Sequence, residues 1–118
     1  MSLLSAQSPL LTLLEIRKFA PHLLHGKMQI FIDGGIRRGT DVLKAIALGA
    51  TAVGLGRPFL FSMSAGYGEA GVRRMLEIIR QEVEMNMAFL GASSLKELRP
   101  EMVNTSRLEK DMIGSVKL

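Results

Sequence analysis

The sequence predicts an α/β fold with two consecutive strand–turn–helix units, because apolar runs, glycine-rich turns and helical stretches alternate along residues 28–66. The runs Met28–Ile32 and Thr51–Leu55 are almost wholly apolar, as is typical of strands covered on both faces. Each run leads into glycine beside arginine, and a short extra helix follows the second turn. TIM barrels hold phosphate groups with this order of elements, using the loops after their last two strands. The predicted fold is therefore the C-terminal portion of a TIM (β/α)8 barrel, about its last two βα units.

The two turns have the composition of a phosphate-binding site. Glycine lets backbone N–H groups approach an anion without an intervening Cβ, and the guanidinium group of arginine donates through a planar fork. Pro58 is predicted to be the first residue of the short helix, whose positive end then faces the second turn. The residues that carry this prediction are Gly34, Gly35, Gly39, Gly56, Arg37, Arg38 and Arg57.

Two other nucleotide-binding folds fit the sequence less well. The first turn reads Gly-Gly-Ile-Arg-Arg-Gly and lacks the GxGxxG fingerprint of a Rossmann fold, and no acidic residue ends a second strand to bind a ribose. A Walker A loop is excluded because no Gly-Lys-Ser/Thr occurs. Lys44 lies within a predicted helix and is interpreted as a solvated side chain, since Schiff-base lysines are usually desolvated.

The length and composition of the chain limit the possible folds and ligands further. A complete TIM barrel takes about 250 residues, so a chain of 118 is expected to hold only the last quarter, with open strand edges. The net charge of +4 is compatible with an anionic ligand. Basic residues are dispersed among acidic ones, and one tyrosine with no tryptophan offers no stacking platform, so nucleic-acid binding is not expected.

Metal, disulfide and membrane functions are not expected either. The sequence has no cysteine, which excludes a disulfide framework and a thiolate nucleophile. His22 and His25 are three residues apart, but no third metal ligand is evident nearby, and they are interpreted as solvated side chains. The apolar run Leu10–Leu14 is too short to cross a bilayer.

Helices are predicted before the first strand and between the two strands. The stretch that begins at Pro9 has helical periodicity and is expected to end before Pro21. Thr40 is predicted to cap the helix between the strands, and Gly49 to end it in the left-handed conformation.

The longest predicted helix, Glu69–Leu90, is closed by Gly91 and has one apolar and one charged face. Ser94 and Glu97 are predicted to form a capping box, and the chain from Glu101 onward is expected to be peripheral. The apolar stripe comprises Val72, Met75, Leu76, Ile79, Val83, Met87 and Leu90, and the solvated face Arg73, Arg74, Glu77, Arg80, Glu82 and Glu84.

The segment DGGIRRGTDVLKAIALGATAVGLGRPF resembles the C-terminal signature of the FMN-dependent L-2-hydroxy acid dehydrogenases, the family of the glycolate oxidase, lactate oxidase and flavocytochrome b2 type. Similarity continues through YGEAGVRRMLEIIRQEVEMNMAFLGASSLKELRP and covers about residues 10–103. The motif is long and specific. Other phosphate-binding barrels share only a looser Gly-Gly-Ile-Arg and Gly-Arg pattern.

The resemblance implies one partial hydroxy acid dehydrogenase domain over residues 1–118. Residues 10–27 would form the helix before the seventh strand, residues 28–66 the FMN phosphate-binding βαβ segment, and residues 67–118 the C-terminal helices and tail. The implied cofactor is FMN, and Arg38 is expected to face solvent. Residue-by-residue transfer gives the implied cofactor-binding set of Asp33, Gly34, Gly35, Ile36, Arg37, Gly56 and Arg57.

The resemblance also implies a reaction and its partners. The substrate would be a small L-2-hydroxy acid of the lactate or glycolate class, oxidised to a 2-oxo acid by a homo-oligomeric enzyme. The family's catalytic histidine and substrate-binding arginine belong to a His-Gly-Gly-Arg segment that is absent from these 118 residues, so no catalytic residue is assigned and the isolated chain is expected to be inactive. The alternative is a non-catalytic remnant that binds a phosphate ligand, or that associates with another chain through its open strand edges.

Overall fold

The computed structural model describes residues 7–112. Helices dominate this part of the chain, and its two strands are short. The elements in chain order are α1 (Pro9–Phe19), α2 (His22–His25), β1 (Phe31–Asp33), α3 (Gly39–Ala47), β2 (Ala52–Gly54), α4 (Arg57–Ser62), α5 (Gly68–Leu90), two 3₁₀ turns (Leu95–Glu97 and Pro100–Met102) and α6 (Ser106–Glu109).

The two strands pair in parallel, and α3 connects the end of β1 to the start of β2. Phe31 is opposite Ala52, and Asp33 is opposite Gly54. Because the strands run in the same direction, the turns that follow β1 and β2 leave the sheet at the same edge. The predicted strand–turn–helix order is confirmed.

Both strands are shorter than predicted: β1 begins three residues later and ends one residue later, and β2 loses one residue at each end. Position 30 lies outside the regular ladder because its partner is partly a side chain: the amide of Ile30 donates to Thr51 Oγ1 at 3.0 Å. The amide of Thr51 in turn donates to the carbonyl of Ile30 at 2.7 Å. The contact at the start of the strands is therefore preserved, although regular pairing begins one residue later.

Several predicted helix ends are confirmed. The first helix ends at Phe19, before Pro21, and a separate turn of helix, α2, follows. Gly49 has φ of +118° just beyond α3, and Gly91 ends α5 with φ of +74°.

The core consists of two apolar clusters on either side of α3. Residues Val83 and Met87 of α5 pack against the second cluster. The first cluster is formed by Leu11, Leu13, Leu14, Ala45, Leu48, Ala50 and Met112, and the second by Leu43, Ala47, Ala92 and Leu98.

The prediction that the chain from Glu101 onward is peripheral is wrong. Met112 is only 4% exposed and belongs to the first cluster, and Val103 and Leu108 pack against it. A polar stretch with single apolar residues at wide spacing does not show an obvious periodic pattern, yet each of these side chains reaches the core. The C-terminal segment therefore covers α1.

The predicted capping box at Ser94 and Glu97 forms only in part: Ser94 precedes the 3₁₀ turn as predicted, but its side chain makes no capping hydrogen bond and Glu97 binds chiefly Ser93. The Glu97 carboxylate accepts from the amide of Ser93 at 2.5 Å and from the Ser93 hydroxyl at 3.0 Å. These hydrogen bonds, the amide bond first, lower the pKa of Glu97. The carboxylate thus fixes the chain just before the 3₁₀ turn.

Large apolar side chains remain uncovered in the described residues. Phe31 is 67% exposed on β1, and Leu76 and Leu90 of the predicted α5 stripe are 55% and 41% exposed. The sequence predicts burial for all three, but within residues 7–112 each of them stays exposed. Among the described helices, none combines the length and the apolar composition required to span a bilayer.

Candidate functional site

A cleft of about 440 Å³ lies at the edge of the sheet where both strands end. It contains all seven residues of the predicted cofactor-binding set, together with Gly54 and Pro58. The parallel register explains this arrangement, because Asp33 and Gly54 are opposite each other in the final pair of the ladder. The two turns predicted from the sequence therefore share one cleft, and the cofactor-binding role of their residues stays a prediction.

The first turn exposes a run of backbone amides to the cleft. Gly34 and Gly35 have φ of +91° and +74°, a left-handed conformation that glycine adopts without steric cost. The side chain of Ile36 is only 3% exposed, so this residue can contribute to the cleft only through its backbone. The ladder ends at the Asp33–Gly54 pair, and beyond it the amides of Gly35 and Ile36 form no hydrogen bond within residues 7–112, which leaves them available to a ligand.

The amides of the next three residues are already occupied. Asp41 Oδ2 accepts from the amides of Arg37 and Arg38, at 3.1 Å each. Glu82 Oε2 accepts from the amide of Gly39 at 2.6 Å. The prediction that Gly39 presents an amide to an anion is therefore wrong.

Gly39 is glycine for a different reason, which is packing. The residue is buried, and an added Cβ would lie 2.5 Å from the Cβ of Glu82 and 2.7 Å from the backbone nitrogen of Val83. The first residue of α3 thus contacts the middle of α5 directly.

Two further predictions at this helix start are wrong. The residue that precedes α3 is Arg38, not Thr40, and the amide of Val42, which a Thr40 cap would have bound, donates to the Arg38 carbonyl at 3.3 Å. Glu82 was placed on the solvated face of its helix, but its side chain is 22% exposed and turned toward α3.

The arginines divide into paired and unpaired side chains. Arg38 Nε lies 2.9 Å from Glu82 Oε1, and the Arg38 side chain is 71% exposed, which confirms that it faces solvent. Within the described part of the chain, the guanidinium groups of Arg37 and Arg57 have no carboxylate partner and no hydrogen bond. The cleft therefore contains two unneutralised cations and one carboxylate, that of Asp33.

The second turn begins the short helix α4. Gly56 precedes the helix, and its carbonyl accepts from the amides of Phe59 at 3.0 Å and Leu60 at 3.2 Å. The helix starts at Arg57, so Pro58 is its second residue and not its first as predicted. Both positions lack intrahelical amide partners in an α-helix, and proline is tolerated at either.

Gly56 differs from the other described glycines. Its φ of −108° lies outside the left-handed region, and an added Cβ would meet no atom within 4 Å. Each of the other glycines between residues 7 and 112 has either a positive φ or a close neighbour. Nothing in the described chain requires glycine at position 56, and the open space beside it belongs to the cleft.

The residues interpreted as solvated stay outside the cleft. His22, His25 and Lys44 are exposed, and none of them lines it. Among the described residues, no group of three or more His, Cys, Asp or Glu side chains could hold a metal ion.

Sequence reasoning missed Asp41 and Glu82, the two carboxylates that fix the first turn. An acidic residue three positions after a helix start is a local capping signal, and this signal could have identified Asp41. Glu82 is 43 residues away from Gly39, and no local pattern announces the contact.

Comparison with known proteins places these residues in a family. The model of the FMN-dependent dehydrogenase family matches residues 2–105. The chain is 52% identical over 91 residues to L-lactate dehydrogenase (cytochrome) of Saccharomyces cerevisiae, which covers 77% of this chain and 15% of that protein. It is 52% identical over 82 residues to glycolate oxidase 3 of Arabidopsis thaliana, covering 70% and 22% respectively. The chain thus spans less than a quarter of these relatives.

Comparison with solved structures indicates the same family as comparison with the sequences of relatives. A flavocytochrome b2 variant with sulfite bound superposes with a TM-score of 0.82 at 43% identity, and the match covers 99% of this chain and 30% of that one. The predicted partial TIM barrel is therefore confirmed, and FMN is the cofactor of the proteins that match. The chain belongs to the family of FMN-dependent dehydrogenases.

Proposed function

We propose that this chain forms the FMN phosphate-binding end of an enzyme that oxidises L-2-hydroxy acids of the lactate or glycolate class to 2-oxo acids. The observation that carries the proposal is the cleft, which combines unpaired guanidinium groups and unpaired amides at one edge of a parallel sheet. These are the donors that a phosphate dianion binds.

The chemistry of the cleft fits a phosphate monoester. The amides of Gly35 and Ile36 can donate to its oxygens, and Arg37 and Arg57 can add forked, charge-assisted hydrogen bonds. Hydrogen bonds to a charged group contribute about 1.5–3 kcal/mol each. Asp33 is an acceptor in a site of donors, which suits the hydroxyl groups of a ribityl chain better than the phosphate.

The residues that line the cleft suit cofactor binding and include no histidine that could act as a base. FMN, when bound, supplies the two-electron acceptor for the oxidation. The described residues bind and orient its phosphate, and neither His22 nor His25 lies in the cleft to accept the substrate proton. We therefore assign the residues of this chain to cofactor binding and none of them to the catalytic step.

Titration with two flavins tests this proposal. FMN and riboflavin differ only by the phosphate, so the purified chain is expected to bind FMN at least tenfold more tightly, an increase of about 1.4 kcal/mol. Quenching of flavin fluorescence measures both dissociation constants. Equal affinity for the two flavins, or no binding of FMN below millimolar concentration, would contradict the phosphate assignment.

A second function is favoured by the uncovered apolar surface. Phe31, Leu60 and Phe61 are 67%, 63% and 71% exposed, which suits a module that associates with another chain without oxidoreductase activity of its own. Turnover assays with L-lactate and glycolate separate the two functions only in part, because the isolated chain is expected to be inactive in both. Measurable turnover by the chain alone would contradict the assignment of the catalytic residues elsewhere.

A further inference from the structure

We infer that Glu82 is a positioning residue that holds the turn carrying Arg37 in its phosphate-binding arrangement. This inference rests on the proposed function. It concerns a side chain on α5, outside the cleft and more than 40 residues along the chain from the turn that it contacts.

The Glu82 carboxylate binds two consecutive residues of the turn with its two oxygens. Oε1 accepts from Arg38 Nε at 2.9 Å, and Oε2 accepts from the Gly39 amide at 2.6 Å. A carboxylate that binds both a guanidinium group and a backbone amide fixes the orientation of the peptide between them. The turn is therefore attached to α5 as well as to its own strand and helix.

The other glutamates of α5 behave differently. Glu69, Glu77 and Glu84 each pair with an arginine on the same helix, and their side chains are 84%, 57% and 61% exposed. Glu82 is the acidic residue of this fully described helix that pairs with a different element, at 22% exposure. Exposed pairs along one helix contribute little to stability, whereas the half-buried Glu82 contact joins two elements.

The contact decides which donors of the turn remain available. Glu82 neutralises Arg38 and occupies the Gly39 amide, while Asp41 occupies the amides of Arg37 and Arg38. The unpaired donors that remain in the turn are the Arg37 side chain and the amides of Gly35 and Ile36. A glutamine at position 82 keeps one acceptor oxygen and presents an NH2 donor in place of the other, so the Gly39 amide and the Arg38 guanidinium could no longer both be bound and the turn would lose its one preferred arrangement.

The test compares Glu82→Gln with the matched variant Glu84→Gln. Both changes remove one carboxylate from the same helix and break one arginine pair, but Glu84 bonds to no described residue other than Arg80, at 2.8 Å. Dissociation constants for FMN and riboflavin are measured for each variant by flavin fluorescence, and far-UV circular dichroism confirms folding. We expect Glu82→Gln to weaken FMN binding about tenfold with riboflavin unchanged, and Glu84→Gln to change neither by more than about twofold.

A second variant, Arg38→Gln, keeps the inference testable if Glu82→Gln fails to fold. It removes the side-chain half of the contact and leaves the Gly39 hydrogen bond intact, so the FMN affinity is expected to fall by less, about threefold.

The outcomes distinguish the inference from the proposed function. If the wild-type chain binds FMN more tightly than riboflavin and Glu82→Gln keeps the same ratio of affinities, Glu82 does not position the turn. The inference is likewise overturned if Glu82→Gln weakens both flavins equally, because this pattern reports a general loss of structure. If the wild-type chain already shows equal affinities, the proposed function fails and the inference fails with it.

Discussion

Asp33 and Gly54 are opposite each other in the last pair of the parallel ladder, and a Cβ added at Gly54 would lie 3.1 Å from the Cβ of Asp33. This pairing sets the starting points of the two turns at one edge of the sheet. Arg37 and Arg57, which are 20 positions apart in the sequence, consequently line the same cleft.

Arg37→Ala and Arg57→Ala should each weaken FMN binding by about tenfold to a hundredfold, because each removes charge-assisted hydrogen bonds of about 1.5–3 kcal/mol. Flavin fluorescence titration measures the change. Arg99→Ala removes the same charge from an exposed arginine outside the cleft and serves as the control. An unchanged FMN affinity in Arg57→Ala would remove the role assigned to this residue.

Gly39→Ala should destabilise the fold by about 1–3 kcal/mol or more, as expected for a methyl group forced into a closed contact. The nearest obstacles include the backbone of α5, which cannot move aside as a flexible side chain can. Urea unfolding followed by circular dichroism gives the free energy of unfolding. A variant as stable as the wild-type chain would show that α3 and α5 do not touch at this residue.

Gly56→Ala should have the opposite effect to Gly39→Ala, because it should weaken FMN binding and leave the stability of the fold nearly unchanged. Its Cβ would meet no protein atom within 4 Å, so the free energy of unfolding is expected to change little. The methyl group would nevertheless stand beside the amides of the second turn and should reduce FMN affinity about fivefold or more. The same two measurements apply, and a loss of stability without a loss of affinity would contradict the interpretation of Gly56.

Glu97→Gln should lower stability at neutral pH and much less in acid. Hydrogen bonds from Ser93 lower the pKa of Glu97 in the folded chain, so its contribution is fully present above the unfolded-state pKa of about 4.3. The contribution is lost as the pH falls through the lower folded-state pKa. Thermal unfolding of the variant and the wild-type chain at pH 7 and in acid measures the difference.

The control for this last experiment is Glu101→Gln, at an exposed glutamate without a hydrogen bond among the described residues. A stability difference for Glu97→Gln that is the same at both pH values would show that the Ser93 contact does not act through the charge.

The parts of the site that the sequence predicted are those encoded by neighbouring residues. Apolar runs identified the strands, and glycine beside arginine identified the turns, because strand burial and turn conformation depend mainly on local composition. The parallel direction followed from the intervening helix α3, since a short hairpin could not connect the strands in this way. All seven predicted residues could therefore be placed in one cleft.

The parts that the sequence did not predict depend on contacts between distant segments. Thr40 looked like a cap because threonine often caps helices, but the helix begins one residue earlier, at Gly39, whose amide is bound by the distant Glu82 carboxylate. Met112 looked peripheral because it follows a polar stretch, residues 104–111, that contains one apolar residue, yet it is buried against α1. In each case tertiary packing outweighed a local preference, and only the three-dimensional arrangement shows which side chain prevails.

The two-stranded sheet has a practical consequence for work with the purified chain. Each strand has a single strand partner among residues 7–112, so one side of each backbone can pair with a strand of a neighbouring molecule. The apparent molecular mass measured by light scattering should therefore increase with protein concentration. Salt should suppress this increase only weakly, because hydrogen bonds and apolar contacts drive the association. Measurements in dilute samples will report on single molecules, whereas crystallisation trials will select for assemblies joined through the sheet.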